Sequence, residues 1–209
     1  MKEIDINTWN RKQHFHHFNR LKDPYFAITI PFNVTKAYRF SKENNVSFFG
    51  VYLHDCMKAM NAVENLRYRI KGEKVVDYEV INASTTILRK DKTFGFSFID
   101  FNENLDLFLQ NLSEEKKRIE NSNELFPPKN GLDCIHCSAM PWINFTGHKE
   151  PVSDEKESIP KLSFAKVIEQ DNELLMNVSI GVNHALVDGY HLSLFAEAFQ
   201  SNLNKKMNK

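Results

Sequence analysis

The chain has 209 residues, of which 42% are hydrophobic and 26% are charged. This length suits one domain that buries a core without disulfides or metal, and the charged fraction argues against disorder and against a membrane protein. Lysine plus arginine and aspartate plus glutamate number 27 each, so no overall field favours nucleic acid or an anionic membrane. We therefore expect a single domain over residues 1–209, with no nucleic-acid or membrane partner.

The N-terminal segment and the cysteine content indicate a cytoplasmic protein. Residues 1–5 lack the apolar core of a signal peptide, and no apolar run is long enough to cross a bilayer. The chain has three cysteines, an odd number, and is large enough to fold without disulfides, so we expect reduced thiols in that compartment.

In the first half of the chain, the hydrophobic pattern predicts a strand, a helix and two hairpins. Alternating apolar residues over 26–32 indicate the strand, and Pro31 suggests that it lies at a sheet edge or forms a bulge. Ser47 is a candidate N-cap, and apolar residues recur after it at spacings of three and four. Hairpins are expected at 66–78 and 84–100, where extended segments flank polar turns.

The second half predicts two helices and three strands. A helix over 105–119 has one apolar face, and extended segments follow at 134–139, 162–168 and 174–182. The last two strands are expected to join through a polar turn, and an amphipathic helix follows residue 190.

A histidine at the predicted end of the last strand is the main candidate for chemistry. Acyl transfer from a thioester to a hydroxyl needs a base that titrates near neutral pH and a donor for the oxyanion, and histidine suits the first role. His184 is followed four residues later by Asp188 and then by Gly189. The Asp188 carboxylate could hold this turn by pairing with an arginine, for which Arg11 is a candidate. Considered alone, the same pattern also describes an ordinary turn with an incidental histidine.

Taken with its flanking residues, this segment resembles the chloramphenicol acetyltransferase family. The catalytic domains of dihydrolipoyl acyltransferases share the short His-x-x-x-Asp-Gly signature, but Tyr190-His191 favours the first family. The resemblance spans almost the whole chain and is carried in order by Trp9, Arg11, His14 and Phe15, Leu66-Arg67, Thr93-Phe94, Leu125-Phe126-Pro127, the segments 138–145 and 163–166, and the His184 motif.

The resemblance implies an α/β (α+β) fold, a two-layer sandwich of mixed β-sheet packed with helices, as in coenzyme A-dependent acyltransferases. It also implies a homotrimer with active sites at subunit interfaces and acetyl-CoA as the co-substrate. In that case His184 is the general base and Ser138 donates its hydroxyl to the oxyanion, in a ternary complex without a covalent acyl-enzyme. The more ordinary interpretation of Ser138 is a strand-end hydroxyl bonded to backbone.

Further roles follow from the same resemblance. Asp188 and Arg11 would form a buried ion pair that shapes the catalytic loop. Ser163 stands where the family usually has a threonine that binds an ordered water near the intermediate. Lys166 would meet a coenzyme A phosphate as a point charge, although a solvated lysine at a strand end is an equally good interpretation.

The acceptor pocket is where the chain departs from the family pattern. Lys22 and Glu150 fall among the expected pocket residues, and burying an unpaired charge beside an apolar ligand is costly. Each is therefore expected to face solvent, to pair with the other, or to meet a more polar acceptor than chloramphenicol. A trimeric binding protein without turnover is a third hypothesis. The residues expected to line the pocket are His17, Phe18, Phe26, Thr93, Phe126 and His148.

Two clusters have a superficial likeness to metal sites. Cys134, His136 and Cys137 lack a second Cys/His pair at a usual zinc spacing, so a buried strand that leads to Ser138 is favoured. The three histidines at 14, 16 and 17 have no carboxylate or cysteine among them. We expect no metal, and the sequence has neither a Gly-rich phosphate loop nor a Gly-x-Ser-x-Gly motif.

Overall fold

The computed structural model describes residues 1–151 and 157–205. The helices are α1 (Lys12–Phe18), α2 (Thr35–Glu43), α3 (Phe48–Ala62), α4 (Glu64–Arg67), α5 (Leu105–Glu120) and α6 (Gly189–Asn204). The strands are β1 (Lys2–Ile4), β2 (Tyr25–Asn33), β3 (Tyr68–Lys71), β4 (Lys74–Asp77), β5 (Asn82–Leu88), β6 (Phe94–Phe96), β7 (Cys134–Ala139), β8 (Lys161–Phe164), β9 (Ile168–Gln170) and β10 (Glu173–Asn183).

A mixed sheet forms the centre of the fold, with strands in the order β2-β10-β8-β7-β5-β6 and with β9 paired to β10. The pairs β7–β8 and β5–β7 are parallel, whereas β2–β10, β10–β8 and β5–β6 are antiparallel. Strand β2 ends this order, which agrees with the edge position expected from Pro31, because proline cannot donate a ladder hydrogen bond. A smaller antiparallel sheet has the order β1-β4-β3.

The two faces of the central sheet differ in character. On β10, Val178 and Ile180 are fully buried in the core, where α3 also packs against α5 and α6. Because side chains alternate along a strand, Ser179 and Gly181 face the other way. Residues paired across neighbouring strands form two rows of small or polar residues on this second face. One row is Ser179, Ser163 and Ser138, and the other is Gly181, Lys161, His136 and Ser84.

The structure confirms most of the helices and strands predicted from the sequence, but several begin or end at other residues than predicted. Ser47 caps α3 as expected, since its hydroxyl accepts from the Gly50 N–H at 3.2 Å. The extended segment expected over 162–168 is wrong as one strand, because β8 ends at Phe164 and β9 begins at Ile168. Leu66 lies in α4 and not in the first hairpin. Helices α1 and α2 were not predicted. No helix in the described ranges is both long and apolar enough to span a membrane.

Candidate active site

His184 follows directly after β10 and is held by both its backbone and its ring. Its N–H donates to the Pro24 carbonyl at 2.9 Å. The ring lies parallel to the Phe18 ring, with centroids 3.9 Å apart and planes at 10°, and the Phe26 ring is 4.5 Å away. The turn is stabilised by Asn183, whose side-chain oxygen accepts from the Ala185 N–H at 2.9 Å. These contacts fix the plane of the imidazole.

The two sides of the imidazole meet different surroundings. Nδ1 is shielded from solvent and lies 3.3 Å from Asp188 Oδ1, yet it makes no hydrogen bond within the described part of the chain. The side chain as a whole keeps 34% of its surface exposed. The ring is therefore oriented by packing, and part of its surface stays exposed away from the shielded Nδ1.

Arg11 and Asp188 form the ion pair expected from the sequence, although 177 positions separate them. Arg11 Nη2 donates to Asp188 Oδ1 at 3.0 Å, and Nη1 donates to Oδ2, so the pair is bidentate. Arg11 Nη2 also lies 3.4 Å from the His184 carbonyl oxygen. The pair joins the N-terminal segment to the loop that carries His184, which stabilises that loop in one conformation.

The same carboxylate stands at the beginning of α6. Its pKa lies below the usual value, chiefly because Arg11 hydrogen-bonds the charged form. A negative charge at a helix N-terminus is also favourable. The Asp188 N–H donates to His191 Nδ1 at 2.9 Å, and burial lowers the pKa of His191. Both shifts favour an anionic Asp188 beside a neutral His191 at neutral pH.

Ser138 lies on β7, on the polar face of the sheet. Its Oγ is 3.2 Å from Thr86 Oγ1 on β5, so within the described residues the hydroxyl has a side-chain partner in place of the backbone partner of the ordinary interpretation. It lines a cavity of about 300 Å³ together with Thr86, Phe96 and Phe126. The Phe126 ring stacks on Phe96 at 5.5 Å and forms an apolar wall.

His184 and Ser138 do not meet within one chain. Ser138 is in register with Ser163, which is in register with Ser179, five residues before His184. Two strand spacings of about 4.8 Å and five residues of about 3.3 Å each put the two Cα atoms roughly 19 Å apart. A site that needs both would have to combine residues of two chains.

Ser163 does not hold a free hydroxyl. Its Oγ donates to Glu150 Oε1 at 3.0 Å, and the residue is 1% exposed. His148 Nδ1 is 3.7 Å from the same oxygen. Glu150 and Lys22 do not pair in the described structure, and Lys22 is exposed. Glu150 therefore lies beside the cavities without the Lys22 partner that was one of the alternatives, and the alternative of a more polar acceptor stays a prediction.

Lys161 is a buried charge that the sequence did not single out. It is 8% exposed, and its ammonium forms an ion pair with Glu157 and donates to the Pro151 carbonyl at 2.6 Å. The nitrogen also lies 5.3 Å from the centre of the Tyr25 ring. Glu150 and Lys161 both line the cavity beside Ser138 and a second one of about 170 Å³, which Phe26 and His148 also line. Glu150 and Lys161 thus form a charged wall that the two cavities share.

The remaining predicted pocket residues fall into separate groups. Phe18 and Phe26 contact His184, whereas Phe126 lies in the cavity with Ser138. Thr93 is exposed in the turn before β6, with its hydroxyl 2.7 Å from Asp91 Oδ1. The exposed His17 contacts Phe18 with ring centroids 4.9 Å apart. One chain does not bring the six residues into one pocket.

Lys166 and Cys134 line neither cavity, whereas Cys137 lines the one that contains Ser138. Lys166 is exposed just beyond β8, where its N–H donates to the Ile143 carbonyl. Burial raises the pKa of the Cys134 and Cys137 thiols to about 12, which keeps both protonated. Among the described residues, no three His, Cys, Asp or Glu side chains are grouped so that they could hold a metal ion.

Comparisons with known proteins agree over nearly the whole chain. The family model described as chloramphenicol acetyltransferase matches residues 1–200. The chloramphenicol acetyltransferase of Clostridium perfringens is 31% identical over 92% of this chain and 90% of its own. That of Bacillus pumilus is 30% identical over 94% of this chain and 90% of its own.

Solved structures show the same fold. A chloramphenicol acetyltransferase structure superposes with a TM-score of 0.84 at 27% identity, covering 96% of this chain and 98% of that one. A probable dihydrolipoamide acetyltransferase from Listeria monocytogenes gives a TM-score of 0.68 at 16% identity, over 98% of this chain and 95% of that one. The second likeness supports the expected acyltransferase fold alone.

Proposed function

The chain belongs to the chloramphenicol acetyltransferase family and is an acetyl-CoA-dependent O-acetyltransferase of that type, and we propose that it acetylates a hydroxyl of chloramphenicol or of a similar small acceptor. We assign the general base to His184 and the oxyanion donor to Ser138. What supports these roles is that the His184 ring is fixed yet partly exposed, and that the Ser138 hydroxyl opens into a cavity.

The proposed reaction passes through a ternary complex. His184 takes the proton of the acceptor hydroxyl as its oxygen attacks the thioester carbonyl. Ser138 donates a hydrogen bond to the negative oxygen of the tetrahedral intermediate. The C–S bond then breaks, and His184 returns the proton to the coenzyme A thiolate. Acetyl ester and free coenzyme A are the products, and no acyl-enzyme forms.

Other residues would support this chemistry without taking part in it. The Arg11–Asp188 pair would fix the loop that carries His184. Lys166, which is exposed at the end of β8, would meet a phosphate of coenzyme A. The hydroxyl of Ser163 donates to Glu150, so we assign it to holding Glu150, and its oxygen can still accept a hydrogen bond from a water near the intermediate.

The observation that carries the proposed assembly is the separation of His184 from Ser138. A distance of roughly 19 Å within one chain is too long for two groups that act on one carbonyl. We therefore propose a cytoplasmic homotrimer of single-domain subunits in which each active site combines His184 of one subunit with Ser138 of its neighbour. A closed cyclic assembly supplies that pairing at every interface.

Subunit mixing tests this proposal. We expect His184→Ala and Ser138→Ala to be nearly inactive when each is made alone. Coexpression with two affinity tags and purification through both should recover activity, because every trimer kept by both tags contains both kinds of subunit. One of the three interfaces of such a trimer joins an intact His184 to an intact Ser138, so about a third of the sites would be complete.

Mixing His184→Ala with the double variant His184→Ala/Ser138→Ala is the control, because no complete site can form. Recovery in the first mixture alone supports shared sites. A mixed oligomer that stays as inactive as the control contradicts them. Binding of acetyl-CoA by the wild-type protein without transfer to any acceptor would favour the non-catalytic alternative.

A further inference from the structure

We propose that the acceptor is a small hydroxyl compound that carries a cationic amine close to the acetylated hydroxyl, and that Glu150 selects it. This inference rests on the proposed function, because it names the acceptor class of the same site. Glu150 would act as a specificity-determining residue through its charge.

The positive charges around the two cavities already have carboxylate partners. Lys161 pairs with Glu157, and the exposed Lys149 has its nitrogen 3.1 Å from Asp23 Oδ2. Glu150 differs from these carboxylates, because within the described ranges no lysine or arginine nitrogen lies within 4.0 Å of it. Its neighbours are the Ser163 hydroxyl and His148 Nδ1. Among the described residues, Glu150 is thus a negative charge of the cavity wall with no lysine or arginine nitrogen within 4.0 Å.

The position of Glu150 makes that charge costly unless a ligand meets it. Its side chain is 31% exposed in the single chain, and a second subunit or a bound acceptor would remove more of its contact with water. A carboxylate that loses water needs a charged partner or several donors to offset the cost. An ammonium group on the acceptor supplies both a charge and up to three donors.

Register places this charge near the reacting hydroxyl. Glu150 Oε1 is bonded to Ser163, and Ser163 is in register with Ser138 on the adjacent strand. Paired residues on adjacent strands lie about 4.8 Å apart. An acceptor whose hydroxyl attacks a carbonyl carbon whose oxygen is bound by Ser138 would therefore put a group two or three bonds away near Glu150, so the expected ligand is an amino alcohol.

Lys161 does not favour an anionic acceptor instead. A lysine ammonium has three donors, and this one contacts the Glu157 carboxylate, the Pro151 carbonyl and the face of the Tyr25 ring. An incoming carboxylate would have to displace one of these partners. The aromatic rings of Phe96 and Phe126 line the same cavity, so the rest of the ligand can be apolar.

Three acceptors that differ at one position test the proposal. The cationic compound is 2-amino-1-(4-nitrophenyl)propane-1,3-diol, and the neutral compounds are its analogue without the amine and chloramphenicol, in which the nitrogen is acylated. Coenzyme A thiol release gives kcat/KM for each. We expect the amine to be preferred over both neutral compounds by about tenfold or more, with the difference mainly in KM.

Glu150→Gln removes the charge and keeps an oxygen that can accept from Ser163. We expect this variant to lose the preference for the amine while it still acetylates the analogue without it. Glu169→Gln, on exposed β9, is the matched control and should retain the preference. The preference in the wild-type enzyme should also fall as pH rises through the pKa of the acceptor amine. Equal kcat/KM values in the wild type, or an undiminished preference in Glu150→Gln, would overturn the proposal.

Calorimetry separates this proposal from the proposed function. If no acceptor releases thiol, acetyl transfer fails, but binding of the same three compounds still decides the role of Glu150. Tighter binding of the amine that Glu150→Gln abolishes supports the selection, and equal or absent binding of the amine rejects it.

Discussion

The end of β10 and the polar face of the central sheet are built in different ways. The loop with His184 is fixed within one chain by stacking on Phe18 and by the Arg11–Asp188 pair. The Ser138 face has an open cavity whose wall includes Glu150 and Lys161. The first region carries the proposed general base, whereas the second carries the proposed oxyanion donor Ser138 together with Glu150, to which we assign the choice of acceptor. Changes at His184 and at Glu150 should therefore affect different kinetic constants.

The largest expected effect is at the first region. His184→Ala should lower kcat by about 10² to 10⁴-fold or more, because a positioned general base contributes that much to proton transfer. The Phe18 ring would lose its stacking partner, so we would measure the oligomeric state by light scattering beside thiol release. The exposed His16→Ala serves as the control. A variant with its assembly intact and its rate unchanged would remove His184 from the mechanism.

At the second region, Ser138→Ala should lower kcat/KM by about 10² to 10³-fold, as expected for loss of an oxyanion donor. Ser84→Ala is a matched control, because its hydroxyl lines the same cavity from β5 without contacting Ser138 in the described structure. We expect Ser84→Ala to stay within about threefold of the wild type. Equal losses in the two variants would mean that Ser138 acts on the cavity in general and not on the oxyanion.

Asp188→Asn should affect both stability and rate. It leaves the Arg11 charge without its carboxylate, and because the Asp188 side chain is 32% exposed we expect a loss of about 2 to 3 kcal/mol in the free energy of unfolding. A misplaced His184 ring should also lower kcat by about tenfold or more. Urea unfolding and thiol release would measure the two effects.

The Arg118–Glu115 pair on α5 supplies the control, since its side chains are 23% and 17% exposed. Glu115→Gln should lower stability with little change in kcat. If Asp188→Asn loses stability but keeps its rate, the Arg11–Asp188 pair stabilises the fold without positioning His184.

The sequence predicts features that depend on neighbouring residues better than contacts between distant segments. Ser47, Pro31 and the apolar alternation of β10 act locally, so their patterns gave the elements that the structure contains. The Arg11–Asp188 pairing joins distant segments and was found only because motifs at both ends resemble one family. No pattern of spacing predicts it.

The charged wall could not be predicted in the same way. Lys161 and Glu157 lie four residues apart in a segment that is not helical. A spacing of four predicts an ion pair only within a helix, so it could not predict this one. Glu150 was noted as out of place in an apolar pocket, but its bond to Ser163 depends on how a loop folds over the sheet. Loop conformation has no periodic signal, so the partners of these charges emerge only from the three-dimensional structure.

The smallest expected effect concerns pH at the beginning of α6. Burial lowers the pKa of His191 in the folded protein, aided by the Arg11 charge and opposed by Asp188. The unfolded chain then binds more protons near its ordinary pKa of about 6.5, so this contribution to stability is present above that pH and is lost as pH falls. Urea midpoints at pH 7.5 and 5.5 should differ less in His191→Asn, which keeps an acceptor for the Asp188 N–H, than in the wild type.

His16→Asn controls for the substitution itself. An equal change in urea midpoint between the two pH values in all three proteins would show that His191 does not couple folding to pH. The lowered pKa of Asp188 acts only in more acidic solution, and His136, whose pKa burial also lowers, is present in all three proteins, so the difference between the wild type and His191→Asn reports His191.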